Sequence, residues 1–452
     1  MLNTLYKRFY KNKDSHNKEL IKGGASAFSV KLIGNGVNYI FTFVVARFFG
    51  AGGLGTYSIY QSVMQLSSNI SKQGFNTLMV RYVAFYNAKN RWDLIKDLYY
   101  KSLRITIIIG IIASLILFFG ADIIAQKIFL KPELSICFRI GAFTLLPWIM
   151  MELHCDSLSG LKMFFTSSFI RSVTVFIVAI IVVAASAHFI HNKALPVIAY
   201  SCGIVVASSI AMYRWLKSSK LPKTITEHVN MKEMSSIAFV LFSTSILYMI
   251  RTTAETAIIG RYCSVDDLGV YKVALKIASI TAITLNAMLY SLSPKIAELH
   301  GKDDYKKLAD VTQNTTTIIF WTSAPILVIF MLFPSFFMGL FGGEFKHSIG
   351  GKILIILSFG QFINCATGAV SKVLMMAGKH KLNRNLVLVA TTICVGLNFI
   401  IIPRYGLVGA AWVNVIGFVL FNIVPFFYVK YHFGFYTISL SKIFFFKKLK
   451  SK

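Results

Sequence analysis

The sequence predicts an all-α, multi-pass membrane protein built as two related helical bundles. Three observations predict it. Apolar residues make up 56% of the 452 positions, only 14% are charged, and the mean hydropathy is +0.65. Soluble domains do not reach such values, and recurrent apolar runs near the length of a bilayer crossing mean membrane helices. The chain is also strongly basic, with 47 Lys and Arg against 18 Asp and Glu and a net charge of +29. Those cations cluster in the connectors between apolar runs, which is the signature of membrane topology and not of a nucleic-acid surface. Finally, the stretch from Arg47 to Leu94 recurs 214 positions later: Arg47 falls on Arg261, Leu54 on Leu268, Gly55 on Gly269 and Tyr57 on Tyr271.

Apolar periodicity and chain breakers give twelve segments: 24–47, 56–80, 103–120, 135–158, 166–188, 195–214, 234–260, 268–292, 312–340, 352–377, 385–402 and 407–430. The widest polar connector, 215–233, carries Lys217, Lys220, Pro222, Lys223 and Lys232. It divides the chain into an N-lobe (1–214, six helices) and a C-lobe (234–452, six helices and a basic tail). Connectors on the side of both termini carry several times as many Lys and Arg as those on the other side. The positive-inside rule therefore puts both termini and the 215–233 linker in the cytoplasm. The opposite connectors are short, which leaves no room for a folded outer domain. The two ends, Leu5–Lys11 and Ile443–Lys452, mix aromatic or apolar residues with Lys and Arg and read as anchors on the anionic leaflet.

A helix facing only lipid needs no polar stripe, yet several segments carry one. Ser58, Ser62, Gln65, Asn69 and Lys72 advance by alternating steps of four and three and so share a face. In the repeat partner the matching positions are Lys272, Lys276, Ser279, Ile283 and Asn286. Further stripes are Lys31, Asn35, Asn38 and Thr42; Thr244, Tyr248, Arg251 and Glu255; and Gln361, Gly368 and Lys372. A Lys or Arg facing lipid at mid-membrane costs roughly 2.5–3.5 kcal/mol. Lys31, Lys72, Arg251, Lys272, Lys276 and Lys372 therefore need water, partners or a ligand. With Asn35 and Gln65 they outline a cationic cavity suited to an anion. Snorkelling to the interface is the competing explanation for Lys372 and Lys272, and an ion pair along one helix for Arg251 with Glu255.

The acidic residues at comparable depth are Glu152, Asp156 and Glu255. Glu152 and Asp156 lie four apart and either share a proton, as an ion-coupling site would require, or pair with Lys162 or Arg171. The six cysteines show no paired spacing, and neither they nor His188 and His191 form a metal motif. No nucleotide-binding loop and no nucleophile constellation is present. These patterns point away from an enzyme, a metal site or a bound cofactor.

The stretch "ARFFGAGGLGTYSIYQSVMQLSSNISKQGFNTLMVRYVA" carries Arg47, Gly55, Tyr57, Gly74 and Arg81. With "LSFGQFINCATGAVSKVLMMAGKHKLNRN" and "LNFIIIPRYGLVGAAWVNVIG", it resembles the Wzx-type polysaccharide (O-antigen) flippases of the multidrug/oligosaccharidyl-lipid/polysaccharide (MOP) exporter superfamily. That resemblance covers nearly the whole chain. It implies twelve helices in two six-helix lobes around a central cationic cavity, with alternating access. The cargo implied is an undecaprenyl-pyrophosphate-linked repeat unit of O-antigen or capsule type, moved to the outer leaflet of the bacterial cytoplasmic membrane. Ion coupling at the level of that superfamily would need a titratable group, for which Glu255, Asp156 and Glu152 are the candidates here, with a proton or sodium ion as the coupling cation; membrane lipids and polysaccharide polymerase machinery are the further partners expected. Two other readings are a cation-coupled multidrug exporter of the same fold, which would want an acidic cavity, and a membrane polysaccharide polymerase, which would want a large outer loop.

Overall fold

In the computed structural model, residues 15–186, 192–222, 224–225, 227–346, 348–439 and 441–442 are described; side chains of 15–28 and of a few later helical positions, Thr244 and Tyr248 among them, are not. The basic ends and the His188 and His191 pair lie outside the described residues. The fold is all-helical, with no strand among the described residues. The principal helices are α1 (Ser15–Lys72), α2 (Phe75–Ala88), α3 (Trp92–Phe119), α4 (Ser135–Gly160), α5 (Val175–Ser186), α6 (Leu195–Ser218), α7 (Met231–Tyr262), α8 (Val265–Ala278), α9 (Thr281–Gly301), α10 (Tyr305–Leu332), α11 (Ser348–Thr367), α12 (Val370–Met376) and α13 (His380–Phe433).

Eight helices of the described residues are long and apolar enough to cross a membrane, or nine when the pair Val265–Ala278 and Thr281–Leu289, bent by 49°, counts as one span. The chain is a multi-pass membrane protein. Two of those helices are far too long for one crossing. The 44 described residues of Ser29–Lys72 would reach about 66 Å if straight, twice the hydrocarbon thickness. Gly50 supplies the reversal, with φ of 64° inside α1. The rings of Phe41 and Tyr57, sixteen residues apart, consequently lie 5.3 Å from each other. Gly406, with φ of 55°, does the same inside α13. There a Cβ on Gly417 would stand 3.3 Å from Cys394 Sγ, a contact only a folded-back hairpin allows.

Several apolar segments are discontinuous. The 56–80 segment breaks at Gln73 and Gly74, both at positive φ, so Lys72 ends α1 and α2 starts afresh. The 352–377 segment breaks at Gly368 (φ 68°), where the Thr316 side chain leaves no room for a Cβ. Gln361 and Lys372 therefore sit on different helices, α11 and α12, and the stripe drawn through them is not one face. In the 166–188 segment, Ile170–Thr174 forms a π-helical turn that rotates Arg171 relative to a regular helix. The main core joins both halves of the chain, from Phe41, Tyr57 and Tyr60 through Trp215 to Tyr271 and Leu354. In lipid such packing is driven by close van der Waals fit and satisfied polar groups, because hydrocarbon tails are as apolar as the core.

Candidate substrate cavity

A cavity of about 410 Å³ lies between the folded-back α1 and the bent α8–α9 pair. From the second half of the chain it receives Lys272, Lys276, Ser279, Ile283 and Asn286. These are all five positions of the predicted stripe, so the 49° bend keeps them on one wall. From the first half come Asn35, Asn38, Thr42, Ser58 and Gln61, with Tyr39 and Tyr57 between them. Two lysines line this space and no carboxylate does.

Lys276 is the centre of the wall. Its Nζ donates to Asn38 Oδ1 at 2.5 Å, to Asn38 O at 3.1 Å and to Thr42 Oγ1. It also lies 5.0 Å from the centroid of the Tyr39 ring. Tyr39 Oη in turn donates to the Lys276 carbonyl at 2.9 Å. The cation is thus held by neutral dipoles and a π face, all from the opposite half of the chain. One turn away, Lys272 Nζ donates to Thr256 Oγ1 at 2.6 Å.

The remaining predicted residues sit elsewhere. Lys72 is buried at the end of the α1 hairpin, 3.5 Å from Glu152 Oε2. Arg171 bridges both acids of α4, with Nε 3.3 Å from Glu152 Oε1 and Nη2 2.7 Å from Asp156 Oδ1. Two cations and two carboxylates make a neutral quartet, assembled by the π-helical turn that carries Arg171. Glu255 is buried on α7, where its Oε1 accepts from Tyr271 Oη at 2.5 Å and from Asn414 Nδ2 at 3.2 Å. Arg251, one turn earlier, lies over the Phe421 ring at 5.0 Å. Lys31 and Gln65 are exposed, Lys372 is partly exposed on α12, and none of the three lines the cavity.

Tyr39 falls one position beside a polar stripe and reads as an ordinary membrane aromatic, and Tyr57, marked by the repeat and the family pattern, is not assigned to the cavity by either. The contacts that give Lys276 its character link positions 234 and 238 residues apart, and helical spacing carries no information about such pairs. Lys272 and Lys276 could hold an anion; Glu255 with Asn414 could hold a small cation.

Comparison with known proteins agrees with this architecture. The family model described as "Polysaccharide biosynthesis protein" matches residues 20–300, and the MatE model matches residues 241–403. The probable low-salt glycan biosynthesis flippase Agl15 of Haloferax volcanii is 24% identical over 165 residues, covering 36% of this chain and about a third (34%) of that one. Among solved structures, an inward-facing MATE multidrug resistance transporter of the MOP superfamily superposes with a TM-score of 0.76 at 15% identity, covering 91% of this chain and 98% of that one. The lipid II flippase MurJ in an inward closed conformation gives 0.71 at 14% identity, covering 91% and 87%. The chain belongs to the polysaccharide biosynthesis protein family, and its fold is that of the MOP exporter superfamily.

Proposed function

We propose that this protein is a flippase that carries a pyrophosphate-linked oligosaccharide on an undecaprenyl lipid across the cytoplasmic membrane, from the inner to the outer leaflet. One observation supports this reading above the others: the central cavity is lined by Lys272 and Lys276 and by no carboxylate. A buried cation without a counter-charge is costly, and a pyrophosphate head would supply two or more negative charges there. The amide and hydroxyl groups of Asn35, Asn38, Ser58 and Asn286 on the same wall suit sugar hydroxyls, while the lipid tail stays in the bilayer. The family match and the glycan-biosynthesis relative support the same substrate class.

In this reading each of the two hairpins makes two crossings, the bent α8–α9 pair makes one and α7 adds another, so the eight spans become twelve. They form two six-helix lobes, 1–214 and 234–452, with both termini cytoplasmic. Rocking about the 215–233 linker exposes the cavity alternately to each side. Glu255 is the first candidate for a coupling proton or sodium ion. The α4 pair Glu152 and Asp156 is the second, although Arg171 and Lys72 already neutralise it. A multidrug exporter of the same fold would bring cationic cargo against two lysines, which disfavours that alternative.

The test is reconstitution into liposomes with a fluorescent undecaprenyl-pyrophosphate oligosaccharide, following its protection from a membrane-impermeant quencher. The parent protein is expected to equilibrate the lipid between leaflets, and Lys272→Gln with Lys276→Gln to slow this at least tenfold, the loss of roughly one charge-assisted contact. Unchanged flipping in the double variant would sink the anion-site reading.

A further inference from the structure

At one end of the helix bundle, the two halves of the chain are fastened through backbone carbonyls. Lys131 Nζ donates to Gly260 O at 2.5 Å and to Cys263 O at 2.8 Å, both at the C-terminal end of α7. Arg261, in the last turn of α7, reaches the other way. Its Nη1 donates to Lys127 O at 2.6 Å and to Ile128 O at 2.8 Å, at the end of the π-helical turn Ile124–Ile128. Each cation thus occupies the negative end of a helix belonging to the opposite half of the chain.

Beneath these caps, backbone lies directly on backbone. A Cβ on Gly55 would collide with the Val265 carbonyl, and one on Gly269 with the Ala51 carbonyl. The repeat offset of 214 positions converts Ala51 and Gly55 into Val265 and Gly269. The two contacts are therefore one contact made twice, as at a two-fold interface. Glu344 adds a further tie, accepting from Ala51 N at 2.8 Å. A second cavity, of about 610 Å³, opens beside the caps and is lined in part by Lys131, Cys137, Val265 and Asp266.

We propose that Lys131 and Arg261 form a releasable latch, seated on the paired glycine contacts, that keeps this end of the two halves shut and opens to connect the central cavity to this face. The bonding suits repeated opening. All four acceptors are neutral carbonyls that water can take over when the halves part. Neither cation is committed to a carboxylate in these contacts, and a glycine seat has no side chains to unthread. The nearby Lys193–Asp266 pair, 3.6 Å apart with both side chains more than half exposed, adds little.

Cys137 is a built-in reporter, because it lines the second cavity yet is only 1% exposed in the latched form. The experiment is labelling of the purified full chain in nanodiscs with a water-soluble maleimide, resolved by residue with mass spectrometry. Lys131→Gln with Arg261→Gln is expected to raise the Cys137 labelling rate about tenfold, the shift that follows from releasing two cations from helix ends. Labelling of Cys365, buried in a separate core, should stay at the parent rate. Lys131→Arg, which keeps the donor, should leave both rates unchanged. An unchanged Cys137 rate in the double Gln variant overturns the latch. A parallel rise at Cys365 also overturns it, since the two cations would then be general supports of the fold. No substrate enters this measurement, so its failure leaves the transport reading standing.

Discussion

Replacing Lys276 with Met separates ligand binding from stability, because the two respond in opposite senses. In the empty protein, Lys276 brings a positive charge into the interior and finds only Asn38, Thr42 and the Tyr39 ring. Burying an ion costs several kcal/mol even after relaxation, and three hydrogen bonds from a charged donor return a comparable amount. Met fills similar volume without that desolvation cost, and Thr42 already donates to Asn38 O at 2.9 Å, so few polar groups are stranded. Lys276→Met is therefore expected to melt no lower than the parent in detergent. Anion binding should fall sharply: a lost charge-assisted hydrogen bond is worth about 1.5–3 kcal/mol, or about 10- to 150-fold in affinity. Calorimetric titration with inorganic pyrophosphate, beside a thermal melt, reads both quantities on one preparation. A marked fall in melting temperature with unchanged pyrophosphate affinity would refute the reasoning, since Lys276 would then be a structural cation.

Two further outcomes follow from the other buried charges. Arg171→Met leaves Asp156 with no cation in contact and Glu152 with Lys72 alone; breaking a buried pair on one side costs about 3–5 kcal/mol, so this variant should melt well below both the parent and Lys276→Met in the same assay. Glu255→Leu strands Tyr271 Oη and Asn414 Nδ2 at about 1–3 kcal/mol per orphaned group, whereas Glu255→Gln keeps an acceptor and should retain stability while losing any dependence of flipping on a sodium or proton gradient. Gradient dependence that survives in Glu255→Gln removes that residue as the coupling site.

The parts of this molecule that follow from local spacing could be read in the sequence. The Lys272 to Asn286 stripe and the Asn35, Asn38 and Thr42 stripe both line the cavity, because side chains three and four apart stay on one face even across a bend. Two of the failures come from positive-φ breaks hidden inside predicted segments. Gln73 with Gly74 ends the helix at Lys72, and Gly368 separates Gln361 from Lys372; the segments 56–80 and 352–377 drawn from the sequence run through both breaks. Arg171 was recognisable as a partner for Asp156, but its simultaneous reach to Glu152 depends on a π-helical turn that leaves no clear mark in the residue pattern. The latch is invisible to sequence for a different reason, since its acceptors are carbonyls and every residue has one.

The hold of Asn38 and Thr42 on Lys276 has a consequence for energy transduction. The groups that satisfy this lysine belong to the other half of the chain, so in the proposed reading an arriving anion would not enter a vacant site but would compete with an internal ligand. Each increment of affinity used to free Lys276 is also an increment that loosens one half from the other, and by thermodynamic reciprocity a loosened pair binds the anion more tightly. A weakly bound phosphate would leave the internal ligand in place and the halves together. A cargo with a stronger grip would shift the balance toward separation. Discrimination between cargoes would then be set by a threshold for motion as well as by fit to the cavity.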